Sequence, residues 1–336
     1  MPPPMAVPPS PDNPLALIIA GPTTSGKSAL ALAIARRFVG TIINADAMQT
    51  YRDLRVITAR PTLAEEAVVP HALFGVREAA EPGNAAWWRG AALQAMKEAR
   101  REGRLPILCG GTGLYFSALT EGLAAIPDPG PEARAEARAR LAEIGSARLH
   151  EELTLRDPAT ASRLRPTDGQ RLARAWEVLR GTGRGLADWQ SGPALPPAPW
   201  RFKAIRLDPP RAELRAAIEQ RFGAMLQAGA VEEVRALLAQ GLDPALPAMR
   251  AHGVPELASY LRNEITLAEA ERRAVSATTH YTRRQATWFR HHMLAPLCAT
   301  NVILSRIVSD EQFSERILPG LENFLSLPVD APQHGT

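Results

Sequence analysis

The chain has 336 residues, 46% of them hydrophobic, and is long enough to bury one large core or two smaller ones. Its formal charge is only +4, and of its 39 basic residues only three are lysines, a preference for arginine that suits phosphate contacts but equally follows from genomic base composition. The two cysteines, Cys109 and Cys298, leave no Cys₂His₂ or Cys₄ zinc site and indicate a reducing compartment.

Residues 1–14 are rich in proline and lack the basic head and apolar core of a signal peptide. No apolar stretch in the sequence approaches membrane-spanning length. We therefore expect a disordered N-terminal arm on a cytoplasmic protein that is monomeric and does not contact the membrane.

The first predicted strand, Leu15–Ala20, runs into the segment Gly21-Pro22-Thr23-Thr24-Ser25-Gly26-Lys27-Ser28, which has the phosphate-loop pattern G-x-x-x-x-G-K-[ST]. Leu30, Ile34 and Phe38 follow at helical spacing, so the loop joins a strand to a helix as the pattern requires. Glycines let successive backbone N–H groups face one anion, Lys27 neutralises it, and the Ser28 hydroxyl is a ligand for Mg²⁺. The pattern predicts a diphosphate site with Mg²⁺ as cofactor, but kinases, ATPases and GTPases share it, so it does not identify the ligand.

Residues 15–124 continue with alternating strand-like and helix-like segments. Strands are predicted at 41–44 and 105–109, with a helix through 88–101 between them. This order predicts an α/β fold with a parallel sheet.

After Gly122 the strand signal stops, and within a predicted insert at 125–198 residues 131–184 read as helices rich in alanine, arginine and glutamate, with breakers at Asp157-Pro158 and Pro166. Phe202–Leu207 then resembles a strand that returns to the sheet. We predict a P-loop NTPase-like core in two parts, 15–124 and 199–298, interrupted by an α-helical insert domain. Helices are expected at 212–240 and 267–293, and the tail 299–336 has no clear pattern.

Two polar positions follow predicted strands, at the edge where open α/β sheets bind ligands. Asp46 follows the second strand, where it could hold Mg²⁺, act as a general base or be a solvated turn residue. Thr112 follows the third strand within Gly110-Gly111-Thr112-Gly113, whose glycines permit close approach to a ligand or simply form a tight turn.

Arg221 lies on the same helical stripe as Leu214, Ile218 and Met225, which faces the core. A cation there needs an anionic partner, either a ligand or an internal carboxylate, unless it extends past the rim.

Two segments are strongly basic. Residues 163–184 carry six arginines against Asp168 and Glu177, and residues 272–293 carry five arginines and three histidines with no acidic residue. Both suit an RNA backbone, and both also suit a solvated helix face.

Taken in order, the segments GPTTSGKS, NADAMQTYRDL, ITARPT, VPHALFGV, GGTGLYFSALTEGL, RPTDGQRLARAWEV, IEQRF, RAHGVPEL and RRQATWFR resemble the bacterial tRNA dimethylallyltransferase family, the adenosine-37 N6 isopentenyltransferases, from about residue 15 to 295. The resemblance implies transfer of a dimethylallyl group from dimethylallyl diphosphate to N6 of adenosine 37 in tRNAs that read codons beginning with U. It also implies a requirement for Mg²⁺ and an insert that grips the tRNA anticodon stem–loop.

The resemblance further assigns roles to single residues. Asp46 becomes the base near N6, Arg221 a ligand of the diphosphate beside residues 21–28, and Ser28 a neighbour of Mg²⁺. The positions expected to contact tRNA are Asp46, Ala47, Met48, Gln49, Thr112, Arg134, Gln170, Arg171, Leu172, Ala173, Arg174, Arg250, Ala251, His252, Gly253, Val254 and Pro255.

The chain departs from the family pattern at several points, one of them Thr24, where many members have alanine or serine and where we expect the change to be tolerated. Ala47 replaces the usual serine after the aspartate, and Val254-Pro255 replaces the usual tyrosine and basic residue after Gly253. Two other functions use the same loop: a small-molecule P-loop kinase, which would not need the basic segment 272–293, and a nucleotide-switched RNA-binding protein. GTP specificity in the latter would require an N-K-x-D element, which the sequence lacks.

Overall fold

The computed structural model of the protein describes residues 14–192, 194–307, 312–313 and 317–326. The chain divides into two compact units, one formed by residues up to Thr120 together with residues from Ala198 onward, the other by Glu121–Pro197. The predicted arm lies outside the described residues except for Pro14.

A six-stranded, all-parallel sheet forms the centre of the first unit, in the order β3-β2-β4-β1-β7-β8. The strands within the described residues are β1 (Leu15–Ala20), β2 (Gly40–Asn44), β3 (His71–Ala72), β4 (Leu105–Gly110), β5 (Leu123–Ala124), β6 (Ala194–Leu195), β7 (Arg201–Leu207) and β8 (Thr300–Ile303). The predicted return of the chain near residue 202 is confirmed, because β7 pairs in parallel with β1 from Leu15↔Arg201 to Ala20↔Arg206.

Helices cover both faces of this sheet, which explains why β1 and β4 are almost continuously apolar. The helices are α1 (Lys27–Arg37), α2 (Leu63–Val68), α3 (Ala85–Arg101), α4 (Gly113–Thr120), α5 (Gly130–Arg156), α6 (Pro158–Ala161), α7 (Gly169–Thr182), α8 (Leu186–Gln190), α9 (Arg211–Gln227), α10 (Ala230–Leu238), α11 (Val254–Leu261), α12 (Leu267–His291) and α13 (Leu318–Ser326). Alternate residues of β1 enter two different cores: Ile18 packs with Trp88 and Phe289, and Leu17 packs with Ile34. None of the helices in the described residues combines the length and the apolarity that a membrane span requires.

The second unit is a helical bundle of α5 to α8, closed at its base by the antiparallel pair β5–β6. The prediction that the chain has no strand between Gly122 and the strand beginning near residue 202 was wrong for this short pair. The predicted break at Asp157-Pro158 is confirmed: α5 ends at Arg156, and Asp157 Oδ1 accepts the Thr160 N–H at 3.1 Å to cap α6.

Two predictions for the second half of the core need correction. The single helix expected over 212–240 is two helices, because Gly229 adopts φ 97° between α9 and α10. The tail also joins the core: β8 pairs with β7, and Leu321 and Leu325 of α13 are buried against the α1 side of the sheet.

Candidate active site at the phosphate loop

The predicted phosphate loop connects β1 to α1 and has two residues in the left-handed region, Thr24 at φ 66° and Gly26 at φ 95°. Lys27 is buried and its Nζ donates to the carbonyl oxygen of Pro22 at 3.3 Å. The Ser25 hydroxyl is also buried, and no partner for it exists among the described residues. The loop therefore presents a buried cation and a buried hydroxyl at one point, as an anion site requires.

Burial lowers the pKa of Lys27, whereas the charges of Cys109 and Asp46 oppose that shift and the charge of Arg221 adds to it. Lys27, Asp46 and Arg221, which lie far apart in sequence, thus share one electrostatic environment. A bound anion would raise the pKa of Lys27 again, because it would offset the cost of burying the ammonium group.

Arg221 on α9 reaches this environment from beside the buried side chains of Leu214 and Ile218. Its Nη2 donates to the carbonyl oxygen of Thr58 at 3.0 Å, and its buried Nε has no partner in the described part of the chain. Burial lowers the pKa of Arg221, and the nearby charge of Asp46 partly opposes this. Arg221 is therefore a partly buried cation whose buried Nε is an unused donor, which fits a diphosphate ligand.

Asp46 begins a tight turn after β2, and the side chain of Asn44 fixes this turn. Asn44 is fully buried; its Oδ1 accepts the Asp46 N–H at 2.8 Å, and its Nδ2 donates to the carbonyl oxygens of Asp46 and Leu73, both at 3.0 Å. Asp46 Oδ1 in turn accepts the Met48 N–H at 3.0 Å. The carboxylate is thereby oriented by the backbone rather than by an ion pair.

The glycine-rich loop after β4 packs directly on this turn. The Thr112 hydroxyl accepts the Ala47 N–H at 3.0 Å, and the Thr112 N–H donates to the carbonyl oxygen of Ala45 at 3.1 Å. A Cβ on Gly110 would lie 2.1 Å from the Ala45 carbonyl carbon, so only glycine allows the two loops to approach this closely. Thr112 is therefore brought beside Asp46, where the sequence placed it.

Gln285 on α12 links the phosphate loop to the glycine-rich loop, and sequence reasoning did not single it out. Its Oε1 accepts from the N–H and the hydroxyl of Thr23 at 2.9 and 3.1 Å, and its Nε2 donates to the carbonyl oxygen of Gly111 at 2.9 Å. The available signal was a polar residue on the buried stripe of α12, between Thr282 and Phe289.

Two rings border the Asp46 side of the site. His252 and Tyr281 have ring centroids 4.8 Å apart. Burial lowers the pKa of His252 and raises that of Tyr281, and the Asp46 charge contributes to the shift of Tyr281. Of the other predicted residues from 250 to 255, Arg250 and Pro255 are exposed, whereas Ala251, Gly253 and Val254 are buried.

Met48 and Gln49 complete the predicted set next to Asp46. Gln49 Nε2 donates to the carbonyl oxygens of Thr58 and Ala59, both at 3.0 Å, so it shares the Thr58 carbonyl with Arg221. A cavity of about 70 Å³ lies beside the loop, lined by Lys27, Ser28, Leu32, Ile42, Gln49, Ala59, Arg60, Pro61, Glu65, His71, Phe74 and Cys109. Its lining combines cationic and apolar groups.

Ser28 at the start of α1 is exposed and lines this cavity. Over the described ranges, no three histidine, cysteine, aspartate or glutamate residues come together to hold a metal ion. This donor set fits Mg²⁺ only in the way that Mg²⁺ binds with substrate phosphates, with one protein oxygen and the remaining ligands from phosphate and water.

The second unit holds the other residues predicted to contact tRNA. Arg134 pairs with Asp128, and Arg174 pairs with Glu177 at 2.5 Å. Gln170 and Arg171 are exposed at the start of α7, whereas Leu172 belongs to the core of the bundle. Ala173 and Arg174 are partly buried, so only the first two residues of this predicted contact segment are fully exposed.

Several arginines of the basic segment 272–293 are paired with carboxylates of the protein, so fewer of them are available to RNA than the composition indicated. Arg272 and Arg273 pair with Glu269, one turn earlier on α12, and Arg290 makes two bonds to Asp208 at 2.7 and 2.8 Å. Arg284 lies over the Tyr281 ring at 5.6 Å from its centroid.

Comparison with known proteins gives concordant results. The family model described as IPP transferase matches residues 49–292, and a second, described as isopentenyl transferase, matches residues 15–69. A tRNA dimethylallyltransferase of Gluconobacter oxydans is 60% identical over 316 residues, covering 94% of this chain and 95% of the relative. One from Rhodospirillum rubrum is 54% identical over 320 residues, with 94% and 95% coverage.

The solved structures show the same fold. The tRNA isopentenylpyrophosphate transferase of Bacillus halodurans superposes with a TM-score of 0.65 at 29% identity, over 94% of this chain and 97% of that chain. A eukaryotic dimethylallyltransferase acting on tRNA superposes with a TM-score of 0.74 at 22% identity, over 94% and 81%. The family predicted from the order of the motifs is thus confirmed, and this chain belongs to the tRNA dimethylallyltransferases.

Proposed function

We propose that this protein transfers the dimethylallyl group of dimethylallyl diphosphate to N6 of adenosine 37 in tRNAs that read codons beginning with U, and releases diphosphate. One observation carries the proposal. The buried Lys27 and the partly buried Arg221 share an electrostatic environment with a carboxylate, Asp46, that the backbone orients. A diphosphate leaving group needs the cations, and a weakly nucleophilic amine needs the carboxylate.

In this reaction the bond between C1 of the allyl group and the diphosphate oxygen breaks, and its electron pair leaves with the diphosphate. The N6 lone pair forms the new bond to C1, and Asp46 accepts the N6 proton. Lys27 and Arg221 stabilise the charge that develops on the leaving oxygen, in a site where burial strengthens such interactions. Mg²⁺, held by Ser28 and by phosphate oxygens, would supply further charge neutralisation when bound.

The acceptor that we propose is the anticodon stem–loop, with adenine drawn out of its stack into the space beside Asp46, Thr112 and the ring of Tyr281. Arg134, Gln170, Arg171 and Arg174 of the second unit would contact its backbone. We further propose that the protein works as a monomer in the cytoplasm, where its tRNA substrate is found.

A labelling experiment tests the proposed function. Purified protein is incubated with Mg²⁺, unmodified tRNA and either labelled dimethylallyl diphosphate or γ-labelled ATP. We expect the allyl label to appear on tRNA and the phosphate label to stay on ATP. Transfer of the phosphate label would indicate a kinase, and movement of neither label would remove the proposed chemistry.

A further inference from the structure

The chain that follows β8 lies across the phosphate loop. In this C-terminal segment, residues 304–307, Arg306 Nε donates to the carbonyl oxygen of Thr24 at 2.9 Å, and the Ile307 N–H donates to the carbonyl oxygen of Ser25 at 3.3 Å. The segment lies outside the residues matched by the family models, which end at 292. Two successive carbonyl groups of the loop are thus turned away from the anion site and toward the tail.

The part of the loop contacted in this way is under strain. Thr24 is β-branched and has φ 66°, a conformation that costs free energy and persists only when its surroundings hold it. The surroundings here are Arg306 on the Thr24 carbonyl and the carbonyl oxygens of Thr23 and Leu214, which lie 2.6 and 3.3 Å from Thr24 Oγ1. A Cβ on Gly26 would lie 2.1 Å from the Ile307 carbonyl oxygen, so the segment and the loop are in direct backbone contact.

The C-terminal segment is itself anchored on both sides. Before it, β8 pairs with β7 in the sheet. Ile307 is buried in the same core as Leu30 and Ile34 of α1, and beyond it Leu321 of α13 is buried there too. The contacts with the loop therefore rest on a fixed element of the fold.

We propose that the C-terminal segment holds the phosphate loop in its diphosphate-binding conformation, with Arg306 as a positioning residue. The inference rests on the proposed function in one respect, that the ligand of the loop is a diphosphate. By bonding the Thr24 and Ser25 carbonyls, the segment fixes the course of the loop backbone that leads into Gly26 and Lys27. Arg306 acts through the loop backbone and need not touch the ligand.

The test measures binding of inorganic pyrophosphate in the presence of Mg²⁺ by calorimetry, for the full-length wild type, Arg306→Ala, Arg306→Lys and the control Leu304→Ala. Leu304 belongs to the same segment but is 68% exposed, so its truncation leaves the contact intact. We expect Arg306→Ala to weaken pyrophosphate binding about three- to tenfold, the effect of losing one ordinary hydrogen bond, because Arg306 acts on the ligand only through the loop backbone. Arg306→Lys keeps the charge but not the Nε donor and should weaken it less, while Leu304→Ala binds like wild type.

A positioning role also predicts that the substitution affects the donor substrate and the RNA differently. The KM for dimethylallyl diphosphate should rise in Arg306→Ala, while the affinity for an anticodon stem–loop RNA stays unchanged. Wild-type pyrophosphate affinity in both Arg306 variants would overturn the inference, as would an equal loss of RNA and pyrophosphate binding; if Arg306→Ala does not fold, Arg306→Lys decides. Failure of the wild type to bind pyrophosphate would instead remove the diphosphate site, and the proposed function with it.

Discussion

Asp46 is the residue on which the proposed chemistry depends most. Asp46→Asn keeps the shape of the side chain and the acceptor for the Met48 N–H but removes the proton acceptor. Chemistry should therefore slow by about 10²- to 10⁴-fold, with little change in tRNA or donor affinity. Single-turnover rates across a magnesium titration provide the measurement. A variant rescued by excess Mg²⁺ would show that Asp46 is a metal ligand, and an unimpaired variant would assign it neither role.

Lys27 and Arg221 should each contribute to stabilising the leaving group. Lys27→Ala and Arg221→Ala are expected to lower turnover by about 10²-fold or more, since charge stabilisation of this kind is commonly worth about 3 kcal/mol. Arg215→Ala is the matched control on the same helix, because Arg215 is exposed and pairs only with Glu219 one turn away. Turnover of Arg221→Ala equal to that of Arg215→Ala would make Arg221 a structural residue.

A residue could be assigned to the site from the sequence when a local pattern marked it. A residue that reaches the site only through a tertiary contact could not. The phosphate loop and Arg221 have sequence signals, a fixed motif and a helical stripe, and both reach the site. Gln285 has its role only because α12 passes between two loops that are far from it in sequence. Its local pattern, a polar residue on the buried stripe of α12, indicates that the side chain is buried but not which loops it contacts.

At the scale of elements, the insert is the clearest modular feature. The two points at which the insert leaves and re-enters the first unit are already joined by a hydrogen bond, because the Ala198 N–H donates to the Leu119 carbonyl oxygen at 2.7 Å. Replacing residues 121–197 by a short glycine linker should therefore leave a folded core that binds pyrophosphate but no longer binds tRNA. Both binding activities and a thermal unfolding curve are measured. Loss of both in a cooperatively folded variant would mean that the insert completes the diphosphate site.

The tail shows why element prediction fails at the edges of a sheet. β8 has two exposed residues, Asn301 and Val302, within four, so its sequence lacks the apolar run that identified β1 and β4. It is a strand because β7 offers it an unpaired edge. The break between α9 and α10 was hidden for a related reason, as one glycine within a helical pattern is often tolerated.

At the scale of the whole molecule, tRNA binding is expected to be electrostatically driven despite the small net charge of +4. The affinity for an anticodon stem–loop should fall steeply as salt rises, because cationic side chains displace counterions from the phosphates. Arg272, Arg273 and Arg290 are paired with carboxylates, so the slope should be shallower than the count of arginines indicates. Binding titrations at several salt concentrations give the slope, and a salt-independent affinity would contradict this prediction.

The central claim, prenylation of N6 of adenosine 37, is tested most directly by locating the product. An unmodified anticodon stem–loop RNA is incubated with the protein, Mg²⁺ and dimethylallyl diphosphate, digested to nucleosides and oligonucleotides, and examined by mass spectrometry beside the same RNA carrying guanosine at position 37. We predict one added C₅H₈ on N6 of adenosine 37 and none on the guanosine control. An unchanged RNA mass, or an addition at another nucleotide, would contradict the claim.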